Sequence, residues 1–198
     1  AHMLIVQKLL NIPSNDAMFA FLILVQIGPL LALIVYFWKD LWSLARGFLA
    51  KPFATAENKL VWFIIIATIP ALLAGVLLKH LVEGLFKTPL LEASIRLLTA
   101  AVLLTLAEYF GKRTRQLNSM TWLDAMVVGI FQIIAVFPGA SRSGSTLSGG
   151  MLRGFDRPSA ARFAFLLAIP VMLAASGYES LDLLKMSINM NNLLLVLV

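Results

Sequence analysis

Residues Trp122 to Leu152 read WLDAMVVGIFQIIAVFPGASRSGSTLSGGML, and the side on which this stretch leaves the membrane decides the fold. Its apolar part, Leu123 to Phe137, is short for crossing about 30 Å of hydrocarbon at 1.5 Å per residue. It ends in Pro138-Gly139, where a helix does not continue. The small and polar residues that follow either turn the chain back to the side it entered from or carry it across.

A membrane is the solvent that the rest of the chain calls for. Of 198 residues, 60% are hydrophobic and only 13% are charged, with a mean hydropathy of +0.90; a soluble domain carries about 25% charged residues. Apolar runs of spanning length occur at Phe19 to Trp38, Val61 to Leu78, Ala93 to Phe110 and Ala160 to Gly177, and a fifth begins near Leu193. They lack the alternation of barrel strands, so an all-α polytopic membrane protein is expected. The net charge of +6 comes from basic residues at the ends of apolar runs, which reads as membrane topology and not as a nucleic-acid surface. With no cysteine, a disulfide frame and thiolate chemistry are excluded.

The basic residues decide between the two paths. With Lys39 to Lys59 as a loop on side A, a returning segment leaves Lys39, Arg46, Lys51, Lys59, Lys112, Arg113, Arg115, Arg153, Arg157 and Arg162 on that side, against Lys79, Lys87 and Lys185 on the other. A crossing segment gives eight against five. The positive-inside rule favours the re-entrant hairpin and makes side A cytoplasmic. In addition, Ala17-Met18-Phe19-Ala20-Phe21-Leu22 recurs as Ala161-Arg162-Phe163-Ala164-Phe165-Leu166, five identities in six at an offset of 144. Three crossings and one hairpin separate the copies, so their helices run in opposite directions. One membrane domain over residues 1–198 is expected, with inverted-topology repeats at 1–110 and 111–198 and the functional site near the midplane between them.

The turn itself, Phe137-Pro138-Gly139-Ala140-Ser141-Arg142-Ser143-Gly144-Ser145-Thr146, has the makings of an anion site. Gly139 and Gly144 permit backbone N–H groups to converge, and a helix starting near Ser145 adds its positive end. Arg142 stays charged at any accessible pH, and its fork of donors matches phosphate oxygens. Ser141, Ser143, Ser145 and Thr146 add hydroxyls that bind oxygens or, in one case, attack phosphorus. The structural alternative pairs Arg142 with Glu108 or Asp124 and leaves the small residues to helix packing.

These residues carry a resemblance. Phe137 to Gly144, followed by Ser148-Gly149-Gly150-Met151-Leu152 and Phe163-Ala164-Phe165-Leu166-Leu167-Ala168-Ile169-Pro170, is similar to the bacterial undecaprenyl-diphosphatase family, associated with bacitracin resistance. Val25-Gln26-Ile27-Gly28, Tyr36-Phe37-Trp38, Ile69-Pro70-Ala71 and Asp124 to Gln132 extend the likeness over nearly the whole chain. The resemblance implies hydrolysis of undecaprenyl diphosphate to the monophosphate and phosphate, which recycles the lipid carrier of cell-wall synthesis. It places the site on the outer, periplasmic side of the bacterial inner membrane and implies two re-entrant hairpins.

Residue by residue, the resemblance gives Ser141 and Arg142 as catalytic and surrounds them with Gly139, Ala140, Ser143, Gly144, Ser145 and Thr146 as phosphate-binding positions. His2 matches the histidine that closes the family's first-repeat motif, although Ala1-His2-Met3 is also what a trimmed tag leaves. The serines and the pair of glutamates that precede that histidine in the family would lie before Ala1, so the chain is expected to be the middle of a longer protein. Mg²⁺ or Ca²⁺ held by those carboxylates is implied, and the 198 residues alone are expected to release no phosphate. A lipid or small-molecule transporter is the alternative, since inverted repeats with broken helices serve that function as well.

Among other residues, Gln132 falls one helical stretch before the turn, placed to support it or to bond between packed helices. Glu108 and Asp124 are expected at helix ends in solvated or capping roles. The tryptophans and Tyr36 read as an interfacial belt, and Arg153, Arg157 and Arg162 as topology anchors with membrane lipids as secondary partners. Oligomeric state is left open.

Overall fold

A computed structural model describes residues 16–51, 53–78, 89–137 and 140–185. Within them lie seven α-helices: α1 (Asp16–Tyr36), α2 (Trp38–Ala50), α3 (Ala56–Leu77), α4 (Pro89–Phe110), α5 (Trp122–Ile133), α6 (Arg142–Leu152) and α7 (Arg157–Lys185). No strand occurs among the described residues, and the chain is an all-α polytopic membrane protein. By length and composition α3 and the Arg157–Gly177 part of α7 each suffice to cross a bilayer, and α1 with α2 makes a third span if the bent pair is counted as one. In α4, continuous from Pro89, the apolar part is the shorter stretch Leu97–Phe110. The expected fifth run near Leu193 lies outside the described residues.

The path of Trp122 to Leu152 is read from its two ends. Arg115, before α5, and Phe155, after α6, pair side by side: the N–H of Arg115 donates to the Gly154 carbonyl at 2.9 Å, and that of Asp156 donates to the Arg115 carbonyl at 2.8 Å. A chain whose entry and exit are bonded to each other has returned to its starting side, so α5 and α6 form the re-entrant hairpin. Gly154, at φ +88°, supplies the left-handed backbone that this closure needs.

Asp124 fastens the mouth of the hairpin. Thr121 and Asp124 form a reciprocal capping box at the start of α5, and the same carboxylate accepts from Arg115 Nη2 and Arg153 Nε, both at 2.7 Å. Asp124 therefore caps its helix as expected but is fully buried, not solvated. Burial pushes its carboxyl up, but the hydrogen bonds from Arg115, Arg153 and Thr121 outweigh this and hold it well below the usual carboxylate range. Close by, Glu108 at the end of α4 pairs with both Arg113 and Arg157, and Asp40 of α2 pairs with Arg162. Five of the residues assigned to side A, Arg113, Arg115, Arg153, Arg157 and Arg162, are thus gathered in ion pairs at one end of the bundle.

Small residues set how deeply the hairpin inserts. A Cβ added at Gly129 of α5 would lie 2.7 Å from the Ala67 carbonyl oxygen of α3, so these backbones touch only because position 129 has no side chain. Ala67, Ala125 and Val128 are fully buried at this contact, while α7 contributes Phe163, Leu166 and Leu167 to the same core. Phe37 lies against Phe165, with ring centroids 6.5 Å apart, and α1 packs along α7. The C-terminal end of α1 therefore meets the N-terminal part of α7, and the two helices run antiparallel.

One segment departs from expectation. Lys39 to Lys59, read as a loop, holds α2, which leaves α1 at 70° across the break at Phe37. Its Leu44 faces the core, while Trp38 and Trp42 stack at 6.1 Å and Arg46 sits over the Trp42 ring at 4.7 Å on the exposed side. Charges at Lys39, Asp40 and Arg46 lower the mean apolarity below that of a span, yet the apolar stripe is enough for a helix lying along an interface.

Candidate active site

The tip of the hairpin begins where α5 loosens into a 3-10 turn, Ile134–Val136, and ends at Ser141, the N-cap of α6. The helix starts at Arg142, three residues earlier than expected, because Ser141 Oγ accepts the Gly144 N–H at 3.2 Å and substitutes for the missing turn. Gly144 is consequently helical. Its lack of a side chain serves packing instead of an unusual backbone: an added Cβ would lie 3.1 Å from Ser141 Oγ and 3.3 Å from Ala100 Cβ of α4.

The early start sorts the hydroxyls. Ser145 Oγ donates to the Ser141 carbonyl at 2.9 Å and Thr146 Oγ1 to the Arg142 carbonyl at 3.0 Å, and both side chains are buried within the helix packing. Ser141 and Ala140 are half-buried and Ser143 is exposed. Because Ser141 Oγ acts as an acceptor in its cap, its own proton is left to donate. The N–H groups of Arg142 and Ser143, at the first turn of an α-helix, have no acceptor within it. Gly139 and His2 lie outside the described residues.

Arg142 is half-buried and forms no ion pair among the described residues. The two acids proposed as its structural partners are matched elsewhere, Glu108 to Arg113 and Arg157, Asp124 to Arg115 and Arg153. Arg142 instead lines a cavity of about 600 Å³ whose other walls are α3, with Ala71 and Gly75, the 3-10 turn at Val136, and α7, with Val171 and Ala175. Ala71 stands fifteen residues beyond the start of α3 at the basic end, about 22 Å along the helix axis. The cavity therefore belongs to the half of the bundle away from the arginine cluster.

Gln132, in the last turn of α5, completes the polar part of this wall. It is 1% exposed, and neither its Oε1 nor its Nε2 has a hydrogen-bond partner among the described residues. Each such orphaned group costs roughly 1–3 kcal/mol. The small residues at Ala71 and Gly75 were not singled out from the sequence; their i, i+4 spacing on one face of α3 was the available signal.

For a divalent cation, the described residues do not supply a site. No group of three acids or histidines comes together among them, and the carboxylates nearest the hairpin are neutralised by arginine. The described donors at the cavity, a guanidinium, a carboxamide and hydroxyls, suit an anion.

Two comparisons bear on the whole chain. The description bacitracin resistance protein BacA fits residues 1–198. An undecaprenyl-diphosphatase of Anaeromyxobacter dehalogenans (strain 2CP-1 / ATCC BAA-258) is 40% identical over 185 residues, covering 90% of this chain and 62% of its own. Another from Chlorobium phaeobacteroides (strain BS1) is 38% identical over 191 residues, covering 90% and 67%, and one from Corynebacterium striatum is 42% identical over 172 residues, covering 85% and 60%. The chain thus spans roughly six-tenths of the length of the relatives it matches.

Proposed function

The chain belongs to the bacitracin resistance protein BacA family, and on that premise we propose that it forms the larger part of an enzyme that hydrolyses undecaprenyl diphosphate to undecaprenyl phosphate and phosphate. The observation that carries the reading is Arg142: a charged guanidinium with no ion pair among the described residues, at a helix N-terminus on the wall of a mostly apolar cavity. Such a place holds a phosphate at one end and a hydrocarbon at the other.

In the proposed mechanism the terminal phosphate sits at the start of α6. Arg142 and the free N–H groups of the first turn hold its oxygens, and Ser141 donates its hydroxyl proton to one of them. Attack forms a bond from a water oxygen to the terminal phosphorus while the bond from that phosphorus to the bridging oxygen breaks. The lipid monophosphate leaves with the bridging oxygen, and the proton of the attacking water passes to a base. By the family resemblance that base is His2; the carboxylates that the family carries ahead of that histidine would hold Mg²⁺ or Ca²⁺, which would supply neutralising charge to the diphosphate. The donors at the helix start stabilise the charge that grows on the bridging and terminal oxygens. Ser145 and Thr146 support this turn from within the helix, and Gly139 and Ala140 are phosphate-binding positions by the family resemblance.

The site is proposed to open on the periplasmic face of the bacterial inner membrane, supported by a cavity remote from the arginine-rich end. The division into inverted repeats at 1–110 and 111–198 is part of the same reading, supported by the antiparallel α1 and α7 that carry the repeated hexapeptide. The relatives are named as diphosphatases, which weighs against transport. The test uses the full-length protein in proteoliposomes: release of phosphate from undecaprenyl diphosphate is expected, while movement of the lipid without release would establish the transporter instead.

A further inference from the structure

We propose that Gln132 contacts the substrate directly, its Nε2–H donating to an oxygen of the phosphate that Arg142 holds. The inference rests on the cavity being the diphosphate site. Gln132 closes the last turn of α5 and Arg142 opens α6, so the two line the cavity from opposite arms of the hairpin. A ligand that touches both is held across the tip.

The buried carboxamide has neither its donor nor its acceptor satisfied among the described residues. Native structures rarely leave such groups unmatched, and a methionine or leucine here would fill the same volume without that cost. A hydrogen bond from this amide to a packed helix, the other reading of this residue, is not found among the described residues. The cavity that Gln132 lines is the route by which a partner can reach it. Phosphate oxygens accept the two protons on Nε2, while Oε1 accepts from a water or a protonated phosphoryl oxygen brought with the ligand. Being neutral, the amide adds geometric selection to the charge that Arg142 supplies.

The experiment compares full-length wild type with Gln132→Met and Gln132→Leu, using farnesyl diphosphate as a soluble substrate and inorganic pyrophosphate as a competing ligand. Both substitutions are expected to raise KM and the pyrophosphate inhibition constant about 10-fold, with a smaller fall in kcat and a melting temperature equal to or above wild type. Unchanged KM and inhibition constant in both variants would overturn the proposal, and a lowered melting temperature with those constants unchanged would assign Gln132 to packing alone. If wild type releases no phosphate but Gln132→Met still weakens pyrophosphate binding by calorimetry, the hydrolase reading fails and the Gln132 contact stands.

Discussion

The two ends of the α5–α6 hairpin carry arginines in opposite states. At the mouth, Arg115 and Arg153 converge on the buried carboxylate of Asp124, which also caps its own helix. At the tip, among the described residues, Arg142 has no acid and the amide of nearby Gln132 has no hydrogen-bond partner. Both ends place polar chemistry on an apolar hairpin, where desolvation of charge is costly. At the mouth the protein supplies the matching charge, so the cluster holds the fold. At the tip the match is left for something that enters from outside, and there the function is to be sought.

This contrast can be broken first at the mouth. Asp124→Ala leaves two arginines facing a buried gap and should destabilise the protein by about 2–4 kcal/mol, the figure for a broken buried pair reduced because both arginines are partly exposed. Denaturant unfolding in detergent would measure it, and a loss below about 0.5 kcal/mol would show that the mouth is not held this way. The same carboxylate makes a pH prediction. Its folded pKa is depressed, so its contribution is fully present above the unfolded value near 4 and is lost as pH falls below it. Stability from this group should be flat from pH 6 to 8 and drop below about pH 4, a drop absent in Asp124→Asn.

A smaller effect sharpens the role of insertion depth. Gly129→Ala forces a Cβ against the Ala67 backbone and should cost about 1–3 kcal/mol while leaving the chemistry at the tip intact in whatever fraction stays folded. Equal melting temperatures in the two proteins would show that α5 and α3 are free to separate. The smallest change expected is at the cavity: a Cβ at Gly75, a cavity-lining position, meets nothing within 4 Å, so Gly75→Leu takes up cavity space. It should raise KM for undecaprenyl diphosphate several-fold, leaving kcat and melting temperature near wild type. An unaltered KM would place the lipid elsewhere.

Much of the hairpin was legible in the sequence because its signals are local or cumulative. The short apolar run ending at Pro138 and the side-A arginines together required a returning chain, and the Arg115–Phe155 pairing is its physical form. The Ser141-Arg142 motif was legible for the same reason, as a charge among small residues at membrane depth. What was not legible depends on distant partners. Asp124 looks solvated until Arg153, 29 residues away in sequence, folds back onto it. The charges of α2 suggest a loop until Leu44 finds the core and Arg162 meets Asp40, 122 residues apart. The start of α6 was misplaced because Gly144 suggested a turn, while the Ser141 cap makes a helix of the same residues. That the described residues leave the Gln132 amide unmatched emerges only from the packing around it.

The difference between mouth and tip comes down to one residue. Arg142→Ala in the full-length protein should lower kcat/KM for phosphate release from undecaprenyl diphosphate by about 10²–10³-fold, the range for removing a charge-stabilising donor, with the melting temperature within a degree or two of wild type. A protein that releases phosphate at the wild-type rate, or that loses activity only because it no longer folds, would contradict the assignment of the tip to chemistry.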